Sequence, residues 1–225
     1  MENNIIEPSV AAQSGDQETR QRLLEAAARL FADHGFEHVT VRDICKEAGA
    51  NVAAVNYYFR DKWGLYQEII KSIVASMQQT FKLAHDPPIA GTTPEARFRH
   101  YVQTFLEHVL NDGSGCLPGK LMAREMADPS PALDLIIEQA IRPNSIRVAG
   151  LVSELMGLPP DDPRVGICVG SIQTQIVGFA SPVAARMVPG GRFTPEVIQY
   201  IANHVAEFSL GGMRALAQRK NEVKS

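Results

Sequence analysis

Apolar residues recur three or four positions apart along nearly the whole chain, and this spacing constrains the fold more than any other feature of the sequence. Val197, Ile201, Val205 and Phe208, for example, all lie on one face of a helix. A period near 3.6 predicts helices, whereas half-buried strands would alternate apolar and polar residues. No stretch of the sequence alternates convincingly in that way. The pattern therefore predicts an all-α fold.

Glycine and proline divide this pattern into segments. Four helices are predicted in the first part, the fourth covering about 61–80. In the second part, helices are predicted at about 94–111, 117–127, 130–157, 162–187 and 194–219. The turn-rich run 86–94 is a candidate linker. We therefore expect a disordered tail at 1–18, a first domain at 19–85 and a larger helical domain at 86–225.

The charge of the chain is distributed unevenly. The whole chain has 22 basic and 25 acidic residues, a formal charge of −3. The segment 19–85 is the exception, with nine Lys and Arg against seven Asp and Glu. A net negative charge excludes a protein that coats nucleic acid through bulk positive charge. If the chain binds DNA, the contact must be local and lie in that segment.

The cysteines and the hydropathy of the chain indicate the cellular compartment of the protein. Cys45, Cys116 and Cys168 lie far apart in apolar runs, which favours small core residues in a reducing, cytoplasmic compartment over disulfides or a metal site. Residues 165–185 have no charge and are long enough to cross a bilayer. However, Gln173 and its polar neighbours lie at the centre, so a buried helix is expected and no membrane partner.

Two short helices joined by a tight turn form the most informative pattern in the sequence. Thr40 and Asp43 have the spacing of a capping box at the start of the first helix, and Gly49 can end it with a positive φ. Asn51 can then cap the second helix, in which Val52, Val55 and Phe59 are expected to face inward. This arrangement is a helix-turn-helix.

The outer face of the second short helix suits the major groove of DNA. Small alanines let the backbone approach base edges, the amide of Asn56 can read adenine, and tyrosine hydroxyls can donate to phosphates. Lys62 adds a positive charge at the start of the next helix. The candidate DNA-binding residues are Thr40, Arg42, Ala53, Ala54, Asn56, Tyr57, Tyr58 and Lys62.

The same pattern has a purely structural interpretation. Helical hairpins with a glycine turn occur in proteins that never touch DNA, and Tyr57 and Tyr58 could be packing residues. Lys62 could be a solvated charge beside Asp61. The alternative function is then a helical small-molecule-binding protein or an enzyme. The sequence has no GxSxG, HExxH or phosphate-binding glycine loop, so no catalytic residue, metal or cofactor is predicted.

The first segment resembles the N-terminal domain of the TetR family of transcriptional regulators. The resemblance covers about 19–70 and rests on Phe31, Gly35-Phe36, Thr40–Ile44, Ala48-Gly49, Asn56–Phe59, Lys62 and Leu65-Tyr66. The remainder is similar, more loosely, to the C-terminal domain of the CecR-like subgroup, at Arg124–Met126, Pro129–Pro131, Ile141–Pro143 and Leu158–Arg164. The resemblance implies an all-helical homodimer with a ligand cavity in each C-terminal domain.

Two features of the second part fit that implication. The helices at about 162–187 and 194–219 are candidates for the dimer interface, where Gly166, Gly170 and Gly178 would permit close approach; alternatively, these glycines fit an intramolecular core. Aromatic, sulfur-containing and amide side chains could line a pocket. The candidate ligand-binding residues are Tyr101, Phe105, His108, Met122, Met126, Gln173 and Phe179. Each of them could equally be a core or surface residue.

Together these observations predict a ligand-responsive, DNA-binding transcriptional repressor. It would bind a palindromic operator on double-stranded DNA as a homodimer, and an unidentified small-molecule effector would release it. Ligand binding is expected to shift the fourth helix, which begins at Lys62 and leads towards the second part.

Overall fold

The computed structural model describes residues 9–86, 91–111, 117–188 and 191–219. Within these ranges the chain forms eleven α-helices and one π-helical turn, and no strand. The helices are α1 Ser9–His34, α2 Val41–Ala48, α3 Val52–Phe59, α4 Lys62–His85, α5 Pro94–Asn111, α6 Leu117–Ala127, α7 Ala132–Ile136, α8 Arg142–Met156, α9 Pro163–Phe179, α10 Pro182–Met187 and α11 Pro195–Gln218. The all-α prediction is confirmed.

Helix α1 begins earlier than the sequence predicts. Residues 9–18, expected to be an irregular tail, are part of α1, and residues 1–8 lie outside the described ranges. The C-terminal end is as predicted: the amide of Gly35 donates to Phe31 O at 2.8 Å, and Gly35 has φ of +83°. Residues 87–90 of the candidate linker also lie outside the described ranges.

The helix predicted over 130–157 is interrupted by a π-helical turn at Ile137–Ile141. In this turn the amide of Arg142 donates to the carbonyl of Ile137, five residues earlier. Pro143 has no amide hydrogen to give to the carbonyl of Gln139. The Gln78 side chain donates to that carbonyl instead, at 2.8 Å. A proline therefore accounts for both the interruption and the long-range hydrogen bond.

The helix predicted over 162–187 is likewise two helices, because α9 ends at Phe179 and α10 begins at Pro182. Ser181 Oγ accepts a hydrogen bond from the amide of Ala184 at 3.1 Å and so caps α10. The next residue, Pro182, lacks the amide hydrogen that an unbroken helix would need. Proline is favoured in the first turn of a helix, so a new helix begins there.

The chain divides into two compact units. The first unit runs up to Ile73 and includes Lys120–Leu133; the second consists of Val74–Gly119 and the chain from Asp134 onward. Most of α6, which the sequence analysis assigns to the second domain, therefore packs in the first unit. Helix α4 contributes its first half to one unit and its second half to the other.

The core of the first unit is formed by α1 to α4 and α6. Four aromatic rings cluster there: Phe31, Phe36, Trp63 and Tyr66, with the Phe31 and Tyr66 centroids 4.8 Å apart. The Tyr66 hydroxyl donates to the carboxylate of Glu125, which is 1% exposed. Burial, and then this carboxylate, raise the pKa of Tyr66. This hydrogen bond ties α6 to α4 within the first unit.

The second unit is a helical bundle in which α5, α8, α9 and α11 pack against one another. Its core includes Phe98, Val102, Val148, Ile172 and Val205. Cys45 in the first unit and Cys168 in the second are buried free thiols, and burial raises the pKa of each. Cys116 lies outside the described residues. None of the described helices is both long enough and apolar enough to span a bilayer.

Candidate nucleic-acid interface and ligand cleft

The helix-turn-helix has the local geometry that its sequence predicts. Thr40 Oγ1 accepts from the amide of Asp43 at 3.2 Å, while the Asp43 carboxylate accepts from the Thr40 amide at 3.0 Å. Gly49 has φ of +60° and ends α2. Asn51 Oδ1 then accepts from the amide of Ala54 at 2.9 Å and caps α3. Local hydrogen bonds thus determine the start of each helix and the turn between them.

Helix α3 buries Val55 and Phe59 and exposes its opposite face. Ala53 and Asn56 are exposed, Ala54 is half-buried, and Tyr57 is 75% exposed. Val52, which the apolar pattern predicts to face inward, is 43% exposed, because it occupies the first turn of the helix, before the inward-facing stripe begins. The exposed face of α3 has small side chains at its centre and polar side chains around them.

Three predicted DNA-binding side chains have polar groups available for a ligand. Arg42 and Asn56 are exposed and, within the described residues, their side chains make no hydrogen bond or ion pair. The Tyr57 hydroxyl is likewise without a partner in that part of the chain; its ring lies 4.9 Å from the ring of Tyr58. These side chains can donate to DNA without first breaking a contact.

Three others already have partners. Thr40 is engaged in the capping box, and the Tyr58 hydroxyl donates to Asp16 of α1, which raises the pKa of Tyr58 to about 12. Lys62 Nζ donates to the carbonyls of Phe36 and Val39 at 2.9 and 3.1 Å and lies 4.2 Å from the Phe36 ring centroid. Lys62 therefore holds the loop between α1 and α2, a role that its sequence context does not indicate.

Two further residues position α3, although no sequence motif marks either of them. At Gly64, in the first turn of α4, an added Cβ would lie 2.0 Å from the Phe59 carbonyl oxygen, so only glycine permits this approach. Arg60, between the two helices, has φ of +75°. A non-glycine residue in that region is strained unless its surroundings hold it there. The short α3–α4 connection thus depends on contacts that no local motif reveals.

The described part of the second unit contains a cleft of about 670 Å³. Its walls are the end of α4, the π-helical turn and the start of α8. The described residues that line it are Gln78, Phe81, Lys82, His85, Asp86, Gln139, Ala140, Pro143, Asn144 and Arg147. This volume is in the range of small-molecule sites.

Three of the predicted ligand-binding residues lie together in the second unit: the rings of Tyr101 and Phe105 are 5.8 Å apart, and the Gln173 side chain hydrogen-bonds to Tyr101. Met122 is half-buried and Met126 exposed on α6, in the part of that helix that belongs to the first unit. The others lie in the second unit: Tyr101 and Phe105 are buried, and His108, Gln173 and Phe179 are half-buried. None of the seven is among the described residues lining the cleft. Tyr101 lies directly behind it, since its hydroxyl accepts from Asn144 Nδ2 at 3.2 Å.

Comparison with known proteins identifies the class to which this fold and helix-turn-helix belong. The profile of the bacterial regulatory proteins of the tetR family matches residues 23–69. The profile of the C-terminal domain of the HTH-type transcriptional dual regulator CecR matches residues 94–213. The chain therefore belongs to the TetR family of DNA-binding transcriptional regulators, in the branch with a CecR-type C-terminal domain. These are regulators and not enzymes.

Individual relatives agree with this assignment. The dual regulator CecR of Shigella flexneri is 25% identical over 72% of this chain and 76% of its own length. The transcriptional repressor AcnR of Corynebacterium glutamicum is 37% identical over 32% of this chain and 38% of its own. A TetR-like transcriptional regulator from Rhodococcus sp. RHA1 has the same fold, with a TM-score of 0.60 at 18% identity over 86% of this chain and 96% of that chain.

Proposed function

We propose that this protein is a homodimeric repressor that binds a near-palindromic operator and is released by a small molecule, acting in the cytoplasm. The observation that carries the DNA-binding part is the exposed face of α3, where Asn56 and Tyr57 have polar groups without partners in the described chain and Arg42 lies just before, on α2. A recognition helix enters the major groove with such a face towards the bases.

The eight predicted residues take different roles in this proposal. Ala53, Ala54 and Asn56 face the base edges, where small side chains allow close approach and the amide reads adenine. Arg42, Tyr57 and the capping segment at Thr40 contact phosphates. Lys62 uses two of its three N–H groups on backbone carbonyls and offers the third to a phosphate. Tyr58 contacts a phosphate once its hydroxyl leaves Asp16.

The dimer is proposed on α9 and α11. The exposed face of α9 holds Ile167 and Val177, and that of α11 holds Tyr200 and Phe208, which are 77% and 65% exposed. Large exposed apolar side chains grouped on one face mark interaction surfaces. Glycines share these faces, and a Cβ added at Gly166, Gly170, Gly178, Gly211 or Gly212 meets nothing within 4 Å in this chain. Intramolecular packing therefore does not require these glycines, which favours close approach by a second copy.

The first experiment is a selection of genome fragments from the source organism with the full-length protein, followed by binding titrations at several salt concentrations. We expect one near-palindromic site and an affinity that falls steeply as salt rises, because phosphate contacts release counterions. Asn56→Ala should relax the preference for bases at one position of each half-site. Failure of the folded, ligand-free protein to enrich any sequence would contradict operator binding.

The dimer has its own test. Gly170→Glu and Phe208→Glu should convert the protein to monomers in analytical ultracentrifugation, with loss of operator affinity, because a charge would be buried between two copies. Gly150→Glu is the matched control, since Gly150 is an exposed helical glycine on α8 with nothing within 4 Å of an added Cβ. Unchanged sedimentation of both test variants would rule out the α9–α11 face as the interface.

A further inference from the structure

The cleft at the end of α4 has a lining with more positive than negative side chains among the described residues. Lys82 and Arg147 make no hydrogen bond or ion pair within the described residues. Five arginines of the same unit do have carboxylate partners, at N–O distances of 2.5–2.7 Å; these are Arg97, Arg99, Arg142, Arg164 and Arg214. Asp86 is the one acidic side chain among the described lining residues, so with neutral His85 the lining has a net charge of +1.

The back of the cleft is a buried polar chain. His85 Nε2 lies 2.9 Å from Asn144 Oδ1, and Asn144 Nδ2 donates to Tyr101. Asn144 is 3% exposed and Tyr101 is fully buried. Because the amide nitrogen of Asn144 is used on Tyr101, its oxygen accepts from His85, so Nδ1 is the unprotonated nitrogen of the neutral ring. Burial, and then the charge of Arg147, lower the pKa of His85.

The floor of the cleft is apolar and its shape depends on the π-helical turn. Phe81, Ala140 and Pro143 contribute hydrocarbon surface. Gln139 and Ala140 belong to this turn, and the Gln78 side chain donates a hydrogen bond to the Gln139 carbonyl. Such turns are rare and concentrate at functional sites. The cleft thus combines an apolar floor, a hydrogen-bonded polar back and two cations that have no partner among the described residues.

We propose that this cleft binds an organic monoanion, a carboxylate between Lys82 and Arg147 with its hydrocarbon part over Phe81, Ala140 and Pro143. The guanidinium of Arg147 offers paired N–H donors that match a carboxylate. A single negative charge neutralises the lining, whereas a dianion such as a phosphate monoester would add a second negative charge near Asp86. The proposal rests on the ligand response proposed above. It assigns the effector to a chemical class, the organic monoanions.

The test uses the full-length protein and four probes of equal chain length: octanoate, octanamide, octylammonium and octyl phosphate. Binding is measured by calorimetry at pH 7. Octanoate should bind at least tenfold more tightly than octanamide, because hydrogen bonds to charged groups are the stronger ones. Octylammonium should not bind, and octyl phosphate should bind more weakly than octanoate unless Asp86 is replaced by asparagine.

The variants assign the binding to the two cations. Arg147→Gln and Lys82→Gln should each raise the Kd for octanoate about tenfold, and Arg147→Lys should restore part of the loss. Arg142→Gln is the matched control, because Arg142 is on the same helix but pairs with Glu138 and does not line the cleft. Its Kd should stay within twofold of that of the parent protein. Both replaced cations are exposed, so circular dichroism should show unchanged folding.

Two results would overturn the proposal: equal affinity for octanoate and octanamide, or octanoate binding that does not depend on Arg147 and Lys82. Operator affinity is measured with and without octanoate in parallel. If octanoate binds with the expected charge dependence and operator affinity is unchanged, the anion site stands and the effector role fails. If the operator is bound but octanoate is not, the anion site fails and the DNA-binding function stands.

Discussion

The helix-turn-helix and the cleft are two candidate sites that the chain builds in different ways. Both display basic side chains with no partner in the described chain, Arg42 in the first and Lys82 and Arg147 in the second. The helix-turn-helix is one continuous segment, residues 40–59. The cleft combines residues 78–86 with residues 139–147. A site made from one segment can therefore be identified from local patterns, while a site made from two distant segments cannot.

The same contrast exists inside the first unit. Tyr57 and Arg42 have donors with no partner among the described residues. The neighbouring Tyr58 and Lys62 use theirs on residues far away along the chain, Asp16, Phe36 and Val39. Neighbouring side chains of the same type thus have different roles. Tyr57 and Arg42 can contact DNA without breaking an existing hydrogen bond, while Tyr58 and Lys62 also stabilise the fold. Four sets of substitutions test how α3 is held in place and which side chains near it contact DNA, starting with the largest expected effect.

Gly64→Ala should have the largest effect. The added Cβ would lie 2.0 Å from the Phe59 carbonyl oxygen, so α3 and α4 must separate. We expect a loss of about 1–3 kcal/mol in the free energy of unfolding, typical of overpacking, and at least tenfold weaker operator binding. Chemical denaturation and fluorescence anisotropy measure the two quantities. Gly150→Ala, with no neighbour near its Cβ, should instead stabilise by up to about 1 kcal/mol. Equal stability of both variants would contradict the close approach of α3 and α4.

Lys62→Ala and Arg42→Ala should separate the two kinds of basic residue. Each should lower the slope of log affinity against log salt by about one unit, because each removes one phosphate contact. Only Lys62→Ala should also cost stability, about 1–2 kcal/mol, because it removes two hydrogen bonds to backbone carbonyls. If Lys62→Ala lowers stability but leaves the salt slope unchanged, Lys62 holds the α1–α2 loop and does not contact a phosphate.

The adjacent tyrosines should differ in the same way. Tyr57→Phe removes an exposed hydroxyl that can donate to a phosphate, so operator affinity should fall about fivefold, which corresponds to about 1 kcal/mol. Tyr58→Phe should change it less than twofold, because in the free protein that hydroxyl is hydrogen-bonded to Asp16 and its transfer to a phosphate gains little. The same anisotropy titration measures both variants. Equal losses would show that DNA displaces Asp16 without cost.

Asp16→Asn should give the smallest effect on operator affinity, and it should strengthen binding where the other substitutions weaken it. This change removes a negative charge beside the recognition helix, so operator affinity should rise about two- to threefold at low salt and return to the parent value at high salt, where charges are screened. Glu18→Gln is the control: it is an equal change of charge on the same helix without a hydrogen bond to α3. If both variants bind alike at every salt concentration, the contact with Tyr58 has no specific effect.

Much of the first unit could be predicted because its signals are local. The capping box at Thr40, the positive φ at Gly49 and the cap at Asn51 each involve hydrogen bonds that close within five residues, so residue type and spacing suffice. The helices of the second unit could also be predicted from the sequence, because a helix with one buried face repeats apolar residues at helical spacing. The breaks before Pro143 and Pro182 were missed, because a helical pattern continues through an interruption of one turn.

Residue type and spacing alone therefore predict the all-α class, the helix-turn-helix and most of the exposed face of α3, with Val52 as the exception. The contacts by which Lys62 and Tyr58 hold the first unit together, and the packing of Glu125 beneath Tyr66, become visible only in the folded chain. The same is true of the cleft in which His85, Asn144 and Arg147 meet. The physical reason is separation along the chain: a cap finds its partner within one helical turn, but the partner of a buried polar group can lie anywhere in the chain, and packing alone selects it.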